Sequence, residues 1–397
     1  MYIKSKSPSP KITFKINTLK SSMITNHNIY YENSNLMSQI PAEKVNLIVT
    51  SPPYPMIEMW DALFSSHNQK ISDFLTNNEG NKAYQLMHEE LEKIWAQFDR
   101  ILCDGGIVCI NIGDATRKIG DSFKLYSNHS KITQFFEQRG YDVLPSIIWR
   151  KQTNKPNKFM GSGMYPGNAY VTLEHEYILI FRKGGNRKFS PIEVERRRKS
   201  AYFWEERNNW FSDIWLDLKG TKQKTNDEDI RHRSAAFPFE LAFRLINMYS
   251  IQGDTVLDPF LGMGTTTLAA ITSMRNSIGY EIDKNFQKSI SSSIEHYENI
   301  ANEYVNDRLT QHQEFVENRI AKGKEFGHVS KNYNFNIITN QEKDIYVPLV
   351  EKIERKIDNE FIVHYKDFDI NKIRNSVPIK TKFIEFEKIK PQQTTLL

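Results

Sequence analysis

The chain has 397 residues, of which 39% are hydrophobic, and a formal net charge of +5. A chain of this length and hydrophobic content can form one large core and a smaller satellite domain. Its apolar runs are shorter than the ~18 residues of a membrane-spanning helix, and its first residues lack the apolar segment of a secretory signal. We therefore predict a cytoplasmic protein with no membrane partner. The mildly basic charge permits nucleic-acid binding through a local patch without requiring it.

The first half of the chain alternates short apolar runs with helical patterns. Residues 1–25, rich in Lys, Ser and Thr, are predicted to form a mobile arm. A helix is predicted between 79 and 102, where Met87, Leu91 and Ile94 follow helical spacing, and a turn at Asp104-Gly105-Gly106 is predicted to end it. The other elements predicted in this half are strands at 45–49, 107–112, 143–149 and 176–181 and a helix at 131–139.

The second half begins with an interruption. Residues 184–233 are polar and rich in Arg and aromatic residues, which predicts little contribution to the core. After them the alternation resumes, with a helix from Pro238 to about Tyr249, strands at 255–257 and 277–280, and a helix at 265–274 between those strands. The predicted fold is α/β, a doubly wound and mainly parallel sheet covered by helices. Cys103 and Cys109 lack metal-ligand spacing, so we predict no metal site.

A glycine-rich loop follows the strand at 255–257 and reads Asp258-Pro259-Phe260-Leu261-Gly262-Met263-Gly264-Thr265-Thr266. Gly262 and Gly264 allow a ligand to approach the backbone closely. Glu281 ends the next strand, about 20 residues on, where an acid typically accepts hydrogen bonds from ribose hydroxyls. The third glycine of dinucleotide sites and the Gly-Lys-Ser/Thr of phosphate loops are both absent. The loop therefore predicts a nucleoside cofactor without need of a phosphate; the alternative is a tight turn followed by an exposed acid.

A second loop follows the strand at 45–49 and reads Thr50-Ser51-Pro52-Pro53-Tyr54-Pro55. The two central prolines remove backbone donors and leave carbonyl acceptors, to which Ser51 adds a hydroxyl and Tyr54 a flat ring. These groups suit a flipped-out base, stacked on Tyr54 with its amine hydrogen-bonded to Ser51 and the Pro52 carbonyl. The alternative is a rigid turn with an incidental tyrosine. Ligands bind at the carboxyl ends of strands in open α/β sheets, so both loops are expected to face one crevice.

The two loops together resemble those of S-adenosylmethionine-dependent DNA amino-methyltransferases of the permuted (beta) class, in which the catalytic motif precedes the cofactor motif. Ser51-Pro52-Pro53-Tyr54 resembles the cytosine-N4 branch, whereas Asp-Pro-Pro-Tyr is typical of adenine-N6 enzymes. Weaker matches within about residues 29–300 are Gly105–Asp114, Ile148–Lys151, His175–Lys183 and Ala236-Phe237-Pro238. One departure is Glu32-Asn33-Ser34, where the family often has Gly-Asp-Ser.

The resemblance implies a fold of the S-adenosylmethionine-dependent methyltransferase type with a smaller target-recognition region. It implies that Phe237 and Pro238 border the methionine end of the cofactor, that Asp258, Phe260, Gly262 and Gly264 line its centre, and that Glu281 holds the ribose; Pro259, Thr265 and Thr266 complete the cofactor loop. The implied segments are a catalytic half at 26–183, target recognition at 184–231, a cofactor half at 232–300 and a C-terminal extension at 301–397.

The implied activity is N4 methylation of cytosine in double-stranded DNA, in functional partnership with a cognate restriction endonuclease. Carbon-5 methylation needs a cysteine nucleophile, and no cysteine accompanies the two prolines. Adenine N6 is the nearest alternative, and a catalytically silent, cofactor-sensing nucleic-acid-binding protein is the alternative of another class. Five cations are predicted to contact DNA by neutralising its phosphates; the alternative is that they form a solvated surface. They are Arg196, Arg197, Arg198, Lys199 and Arg207.

Overall fold

The computed structural model describes residues 23–151, 160–218 and 237–368. The described strands are β1 Ile24–Tyr30, β2 Val45–Thr50, β3 Leu102–Ile112, β4 Ala115–Ile119, β5 Ser122–Tyr126, β6 Asp142–Arg150, β7 Met160–Gly161, β8 Ala169–Tyr170, β9 His175–Arg182, β10 Ile214–Trp215, β11 Thr255–Asp258, β12 Asn276–Tyr280, β13 His328–Val329, β14 Asn336–Ile337, β15 Leu349–Arg355 and β16 Glu360–Lys366. The described α-helices are α1 Asp61–His67, α2 Gln69–Thr76, α3 Gly80–Trp95, α4 Phe98–Ile101, α5 Asn128–Gln138, α6 Pro191–Lys199, α7 Trp204–Trp210, α8 Phe239–Tyr249, α9 Thr265–Thr272, α10 Gln287–Glu295 and α11 Glu298–Ala321.

Ten of these strands form one sheet, in the order β10-β6-β9-β3-β2-β11-β12-β1-β16-β15. Its centre, from β3 to β1, is parallel throughout. Strand β9 runs antiparallel between β3 and β6, so β6 points in the same direction as β3. The predicted α/β fold with a mainly parallel sheet is therefore confirmed.

Helices cover both faces of the sheet. On one face α3, α4 and α5 bury Met87, Leu91, Trp95 and Phe136 against the sheet. On the other face α8 and α9 pack on β2 and β11. The predicted helix at 79–102 is confirmed as α3 and α4. The predicted turn at 104–106 is wrong, because β3 begins at Leu102 and absorbs both glycines.

Gly105 explains how a Gly-Gly pair fits inside a strand. Its φ of +74° is a left-handed conformation that suits glycine. A Cβ on this residue would lie 2.5 Å from the backbone of Arg187, and its N–H donates to the Lys183 carbonyl at 2.7 Å. The glycine therefore serves a close approach between two chain segments, which is a contact that local pattern does not reveal.

The ends of the chain and its middle segment differ in part from expectation. Of the predicted N-terminal arm, residues 1–22 lie outside the described residues, and β1 already begins at Ile24. The expectation that 184–233 adds little core is wrong for Trp210 and Trp215, which are 5% and 1% exposed and pack in the core beside α8. No helix within the described ranges combines the length and apolar character that crossing a membrane requires.

The region after residue 300 contributes to the sheet, which its charged sequence did not predict. Strand β16 pairs antiparallel with β1, and β15 with β16, so the two strands extend the parallel centre. In β16, residues of alternating burial place Phe361, Val363 and Tyr365 in the core. A strand that is buried on one face needs apolar residues on that face only, so its sequence stays rich in charge.

Candidate active site

The two predicted loops meet at the carboxyl edge of the sheet. Strand β2 ends at Thr50 and leads into Ser51, while the neighbouring β11 ends at Asp258 and leads into the glycine loop. The Asp258 carboxylate joins them: it accepts a hydrogen bond from Thr50 Oγ1 at 2.6 Å and another from Thr266 Oγ1 at 2.6 Å. The two loops therefore meet at one crevice, as expected, and hydrogen bonds to the Asp258 carboxylate link them.

Asp258 is 1% exposed, and its burial raises the pKa of this carboxyl to about 6. The Phe260 N–H donates to Asp258 Oδ1 at 3.1 Å, and this oxygen also accepts the hydrogen bond from Thr50. These three donors favour the charged form and oppose the cost of burying it. Asp258 was expected to line the centre of the cofactor; in the structure its contacts make it a clamp between the loops.

We expect Thr266→Val to lower the free energy of unfolding at pH 7.5 by about 1–3 kcal/mol, because a buried carboxylate loses one of its hydroxyl donors. The deficit should shrink as the pH falls below about 6, because Asp258 then becomes protonated and needs fewer donors. Urea unfolding at pH 5.5 and 7.5 measures both effects. Thr267→Val is the matched control, since Thr267 is equally buried and, among the described residues, its hydroxyl is hydrogen-bonded to the Ser277 hydroxyl, which donates to it at 3.3 Å, and not to Asp258. Equal losses at both pH values would contradict the clamp.

The base loop is organised around the Tyr54 hydroxyl. Tyr54 donates to Glu176 Oε2 at 2.9 Å, and Asn111 Nδ2 donates to the Tyr54 oxygen at 2.9 Å. Ser51 Oγ lies 3.1 Å from the same oxygen. Burial and the neighbouring Glu176 carboxylate raise the pKa of Tyr54 well above its usual value, so this hydroxyl keeps its proton.

These contacts determine the direction of the Ser51 hydroxyl. A phenol has one hydrogen, and that of Tyr54 goes to the carboxylate. The hydrogen between Ser51 and Tyr54 must then come from Ser51, which donates to the tyrosine oxygen. Both lone pairs of Ser51 Oγ remain available, so Ser51 presents an acceptor to a ligand.

Glu176 and Asn111 form the support beneath Tyr54. Asn111 Nδ2 also donates to Glu176 Oε2 at 2.7 Å, and Lys151 Nζ pairs with Glu176 Oε1 at 2.7 Å. Both Glu176 and Asn111 are buried, and the carboxylate partner requires the amide nitrogen of Asn111 to face it. Asn111 Oδ1 has no hydrogen-bond partner among the described residues.

The loop around Tyr54 is also shaped by its backbone. Gly113 lies so close to the Tyr54 ring that a Cβ there would stand 3.0 Å from Cε2. The Pro55 carbonyl accepts from Asn128 Nδ2 at 3.1 Å, and the same amide bonds the Gly113 carbonyl at 2.9 Å. Pro52 and Pro53 are buried, so the segment is rigid on both sides of the ring.

The glycine loop has the open backbone that its sequence predicts. Gly262 has a φ of +56° and nothing within 4 Å of a Cβ position. Gly264, with a φ of +84°, caps the start of α9, so the free N–H groups of Thr265 and Thr266 lie at this edge. Gly279 lets Leu261 pack across it, since a Cβ would meet the leucine side chain at 2.6 Å.

Glu281 lies beside this open backbone. Its carboxylate accepts from the Gly262 N–H and the Asp283 N–H, each at 2.8 Å. Burial raises the pKa of Glu281 to about 7. Each oxygen keeps lone pairs beyond these two bonds, so the carboxylate can accept further hydrogen bonds from a ligand.

The remaining predicted cofactor residues lie around the same crevice. Phe260 packs edge-on against Trp95, with ring centroids 5.6 Å apart, and Pro259 beside it is buried. Phe237 is mostly buried and Pro238 caps the start of α8. Because α8 leads back to the amino end of β11, its beginning lies at the carboxyl edge with the loops. Residues 32–34 follow β1 and reach this edge as well.

The predicted DNA-contacting cations lie elsewhere. Helix α6, which carries Arg196–Lys199, packs at the amino end of β11: Arg187 pairs with Asp254 at 2.6 Å, and the Gln252 N–H donates to Ser200 Oγ at 2.8 Å. Arg207 stacks on Phe211, which contacts the last residue of α8 at that same edge. The structure therefore does not bring these cations to the crevice. The rest of the predicted recognition segment, residues 219–231, lies outside the described residues.

Sequence reasoning assigned no role to four residues that build the site: Thr50, Asn111, Lys151 and Glu176. Thr50, Asn111 and Lys151 lie at or next to the carboxyl ends of β2, β3 and β6, and Glu176 lies at the start of the antiparallel β9. Polar residues where predicted strands end were the available signal. Their pairing required knowledge of strand order, which the alternation of elements does not specify.

The chain is similar to known DNA methylases. Residues 45–292 match the N6_N4_Mtase family of DNA methylases. The chain is 54% identical over 356 residues to the type II methyltransferase M.MthZI of Methanothermobacter thermautotrophicus, covering 89% of this chain and 99% of that protein. It is 53% identical over 281 residues to M.MjaI of Methanocaldococcus jannaschii, covering 68% and 91%.

Among solved structures, TTHA0409 of Thermus thermophilus, in complex with S-adenosyl-L-methionine, is similar with a TM-score of 0.52 and 30% identity. That likeness covers 67% of this chain and 92% of TTHA0409. The family match spans both loops and the strands that carry them. The chain therefore belongs to the N6/N4 family of DNA methylases.

Proposed function

We propose that this protein transfers a methyl group from S-adenosylmethionine to the N4 amine of a flipped-out cytosine in a short double-stranded DNA sequence. The observation that carries this proposal is that Ser51 Oγ donates its hydrogen to the Tyr54 oxygen, which leaves the lone pairs of Ser51 Oγ available as acceptors. An exocyclic amine presents hydrogens, so it needs acceptors in its pocket.

The lone pair of a cytosine amine is delocalised into the ring, which makes the nitrogen a poor nucleophile. Acceptors that draw on its hydrogens make the nitrogen more tetrahedral and return electron density to it. Ser51 Oγ and the Pro52 carbonyl would provide these acceptors, while the Tyr54 ring, held by Asn111 and Glu176, would support the base by stacking. Catalysis would then depend on positioning and electrostatic stabilisation, with no covalent enzyme–base intermediate.

The glycine loop fits S-adenosylmethionine, which supplies the methyl group. Open space at Gly262 admits a ligand against the backbone, and Glu281 offers acceptors for ribose hydroxyls. Phe260 and Gly264 would flank the nucleoside, and Phe237 with Pro238 would border the methionine end. The similarity to TTHA0409, whose structure contains this compound, supports the assignment.

Double-stranded DNA is the proposed partner, and we place the protein in the cytoplasm with it. The two archaeal relatives are type II methyltransferases. Their similarity supports a role in restriction and modification, in which methylation protects host DNA from a cognate endonuclease. The dependence on that endonuclease is functional and does not imply a complex.

Adenine N6 is the alternative within the same family, since the family covers both amines. Mass spectrometry of nucleosides from methylated DNA distinguishes the two bases directly. We expect N4-methylcytosine, because Ser51 occupies the first position of the base loop where an aspartate is typical of adenine enzymes; N6-methyladenine alone would overturn this assignment.

The decisive experiment is modification-sensitive sequencing of DNA from cells that express the protein, beside cells that express Ser51→Ala. We expect a methylated base at one short recurring sequence in the first sample and its loss in the second. If the purified protein binds S-adenosylmethionine but transfers no labelled methyl group to any DNA, the chain is instead a silent cofactor-sensing protein.

A further inference from the structure

A short hairpin, residues 160–170, projects from the connection between β6 and β9. It is closed by the pairing of β7 with β8. Met164 and Tyr165 at its tip are 86% and 79% exposed, and Val171 just beyond it is 82% exposed. Among the other large hydrophobic side chains of the described residues, Ile357 is exposed to the same degree at 82%, and Leu36 follows at 72%. Apolar groups concentrated on such a projection indicate a surface that a partner covers.

The tip is held outward by its own backbone and by a neighbouring hairpin. Ser162 Oγ donates to the Tyr165 carbonyl at 2.6 Å, and the Ser162 N–H donates to the Asn168 carbonyl at 3.0 Å. At the base, the Tyr170 ring packs on Phe123 of β5 with centroids 4.7 Å apart. The exposure of Met164 and Tyr165 is therefore a feature of a defined turn.

The hairpin belongs to the connection between β6 and β9, and both ends of this connection lie at the carboxyl edge of the sheet. Strand β6 runs in the same direction as β3, so its end at Arg150 reaches this edge. The residues on either side of the connection are joined to the base loop: Lys151 pairs with Glu176, which accepts from the Tyr54 hydroxyl. The two ends of the connection that carries the hairpin therefore lie close to Tyr54.

The neighbouring hairpin, β4–β5, is anchored to the same loop region. Arg117 makes two hydrogen bonds to Asp61 at the start of α1, at 2.8 and 2.7 Å. Both hairpins thus belong to connections that leave the carboxyl edge of the sheet, after β3 and after β6. Exposed cations accompany them, namely Arg150 and Lys151, each of which can exchange its carboxylate partner for a DNA phosphate.

On the basis of the proposed base methylation, we propose that Met164 and Tyr165 enter the DNA double helix at the step that the target base vacates. Apolar side chains inserted between base steps offset the cost of unstacking, and an aromatic ring can stack on the base left behind. The hairpin meets the requirements for this role: its tip is apolar and exposed, its turn is hydrogen-bonded, and it belongs to the connection whose ends lie close to Tyr54.

The test compares the wild-type protein with Met164→Ser/Tyr165→Ser. Ile192→Ser is the matched control, because Ile192 is also exposed but lies on α6 at the opposite edge of the sheet. The probe is a duplex that contains the sequence that the protein methylates. It carries 2-aminopurine beside the target base as a fluorescent reporter of unstacking. Fluorescence is read without methyl donor, and single-turnover methylation is measured separately on this duplex and on one whose target base is mismatched.

We expect the double variant to lose the fluorescence increase and to methylate the paired duplex at least about tenfold more slowly than wild type. A mismatched target base is already unstacked, so on that duplex the rate of the variant should lie within about threefold of wild type. The control should behave as wild type on both duplexes. An equal defect on both duplexes, or no defect on either, would overturn the proposal. A change in oligomeric state of the variant by light scattering would instead assign the hairpin to a contact between copies of the chain. If the wild-type protein methylates no DNA, the proposed function fails independently.

Discussion

Ser51→Ala should lower the single-turnover rate of methyl transfer by about 100- to 1,000-fold, the range seen when one preorganised polar group is removed from an active site. DNA affinity should change by less than about threefold, because phosphate contacts supply most of it. The reason is specific to this site: Ser51 Oγ has its hydrogen committed to Tyr54, so both of its lone pairs remain available to a ligand. Rapid-quench kinetics with labelled S-adenosylmethionine and fluorescence anisotropy with duplex DNA measure the two quantities.

Tyr54→Phe is the matched variant for this prediction. It retains the ring but removes the oxygen that accepts from Ser51 and Asn111. Ser51 then loses its fixed direction but keeps its acceptor, so the rate should fall by less than in Ser51→Ala, on the order of tenfold. An unchanged single-turnover rate in Ser51→Ala would refute the proposed role of its hydroxyl.

Glu281→Ala should weaken S-adenosylmethionine binding by about 10- to 100-fold, as expected for lost hydrogen bonds to a charged acceptor. Calorimetry on the protein without DNA measures this directly. Glu281→Gln is the matched variant, because it preserves side-chain length while removing the charge. Native affinity in Glu281→Ala would contradict the ribose assignment.

The affinity of the wild-type protein should also depend on pH. Burial raises the pKa of Glu281 to about 7, so below that value the free protein holds this carboxyl protonated, and binding that requires the carboxylate must release the proton. Affinity should rise about tenfold per pH unit up to about 7 and level off above it. Glu281→Gln should abolish this dependence, and a pH-independent wild-type affinity would show that binding does not require the carboxylate.

The same raised pKa has a consequence for stability. The carboxyl pKa of Glu281 in the folded protein lies above its ordinary value of 4.5 in an unfolded chain. The folded state therefore binds the proton more tightly, and this contribution to stability is full below about pH 4.5 and is lost as the pH rises through about 7. S-adenosylmethionine, by binding the charged form, should restore stability most at neutral pH.

Most of the fold could be predicted from sequence because its elements carry local signals. The strands β3, β6 and β9 contain short apolar runs, and the helix α3 follows apolar spacing with a period of 3.6. The two site loops were recognisable because prolines and glycines at strand ends have few structural alternatives. The strands β15 and β16 escaped prediction because one buried face leaves a charged, irregular pattern.

The site's supports could not be predicted, because they join distant segments. Tyr54 and Glu176 are separated by 122 residues, and Thr50 and Asp258 by 208. No local pattern indicates which strand end will face which. The Arg196–Lys199 run is a case in which a local pattern did not predict the position in the fold. Its composition suits DNA binding, but its helix lies at the amino edge of the sheet, where its neighbours Arg187 and Ser200 make contacts.

The sequence by itself determined the chemical character of the two loops: acceptor oxygens and an aromatic ring that begin at Ser51, and an open glycine backbone followed by the acid Glu281. Side-chain chemistry and backbone restriction are local properties, so they can be read in order along the chain. Only the tertiary structure decided that Asp258 links the loops, that the Tyr54 oxygen takes the hydrogen of Ser51, and that the apolar tip of the β7–β8 hairpin is exposed. These depend on which strands become neighbours, and strand order is set by the packing of the whole core.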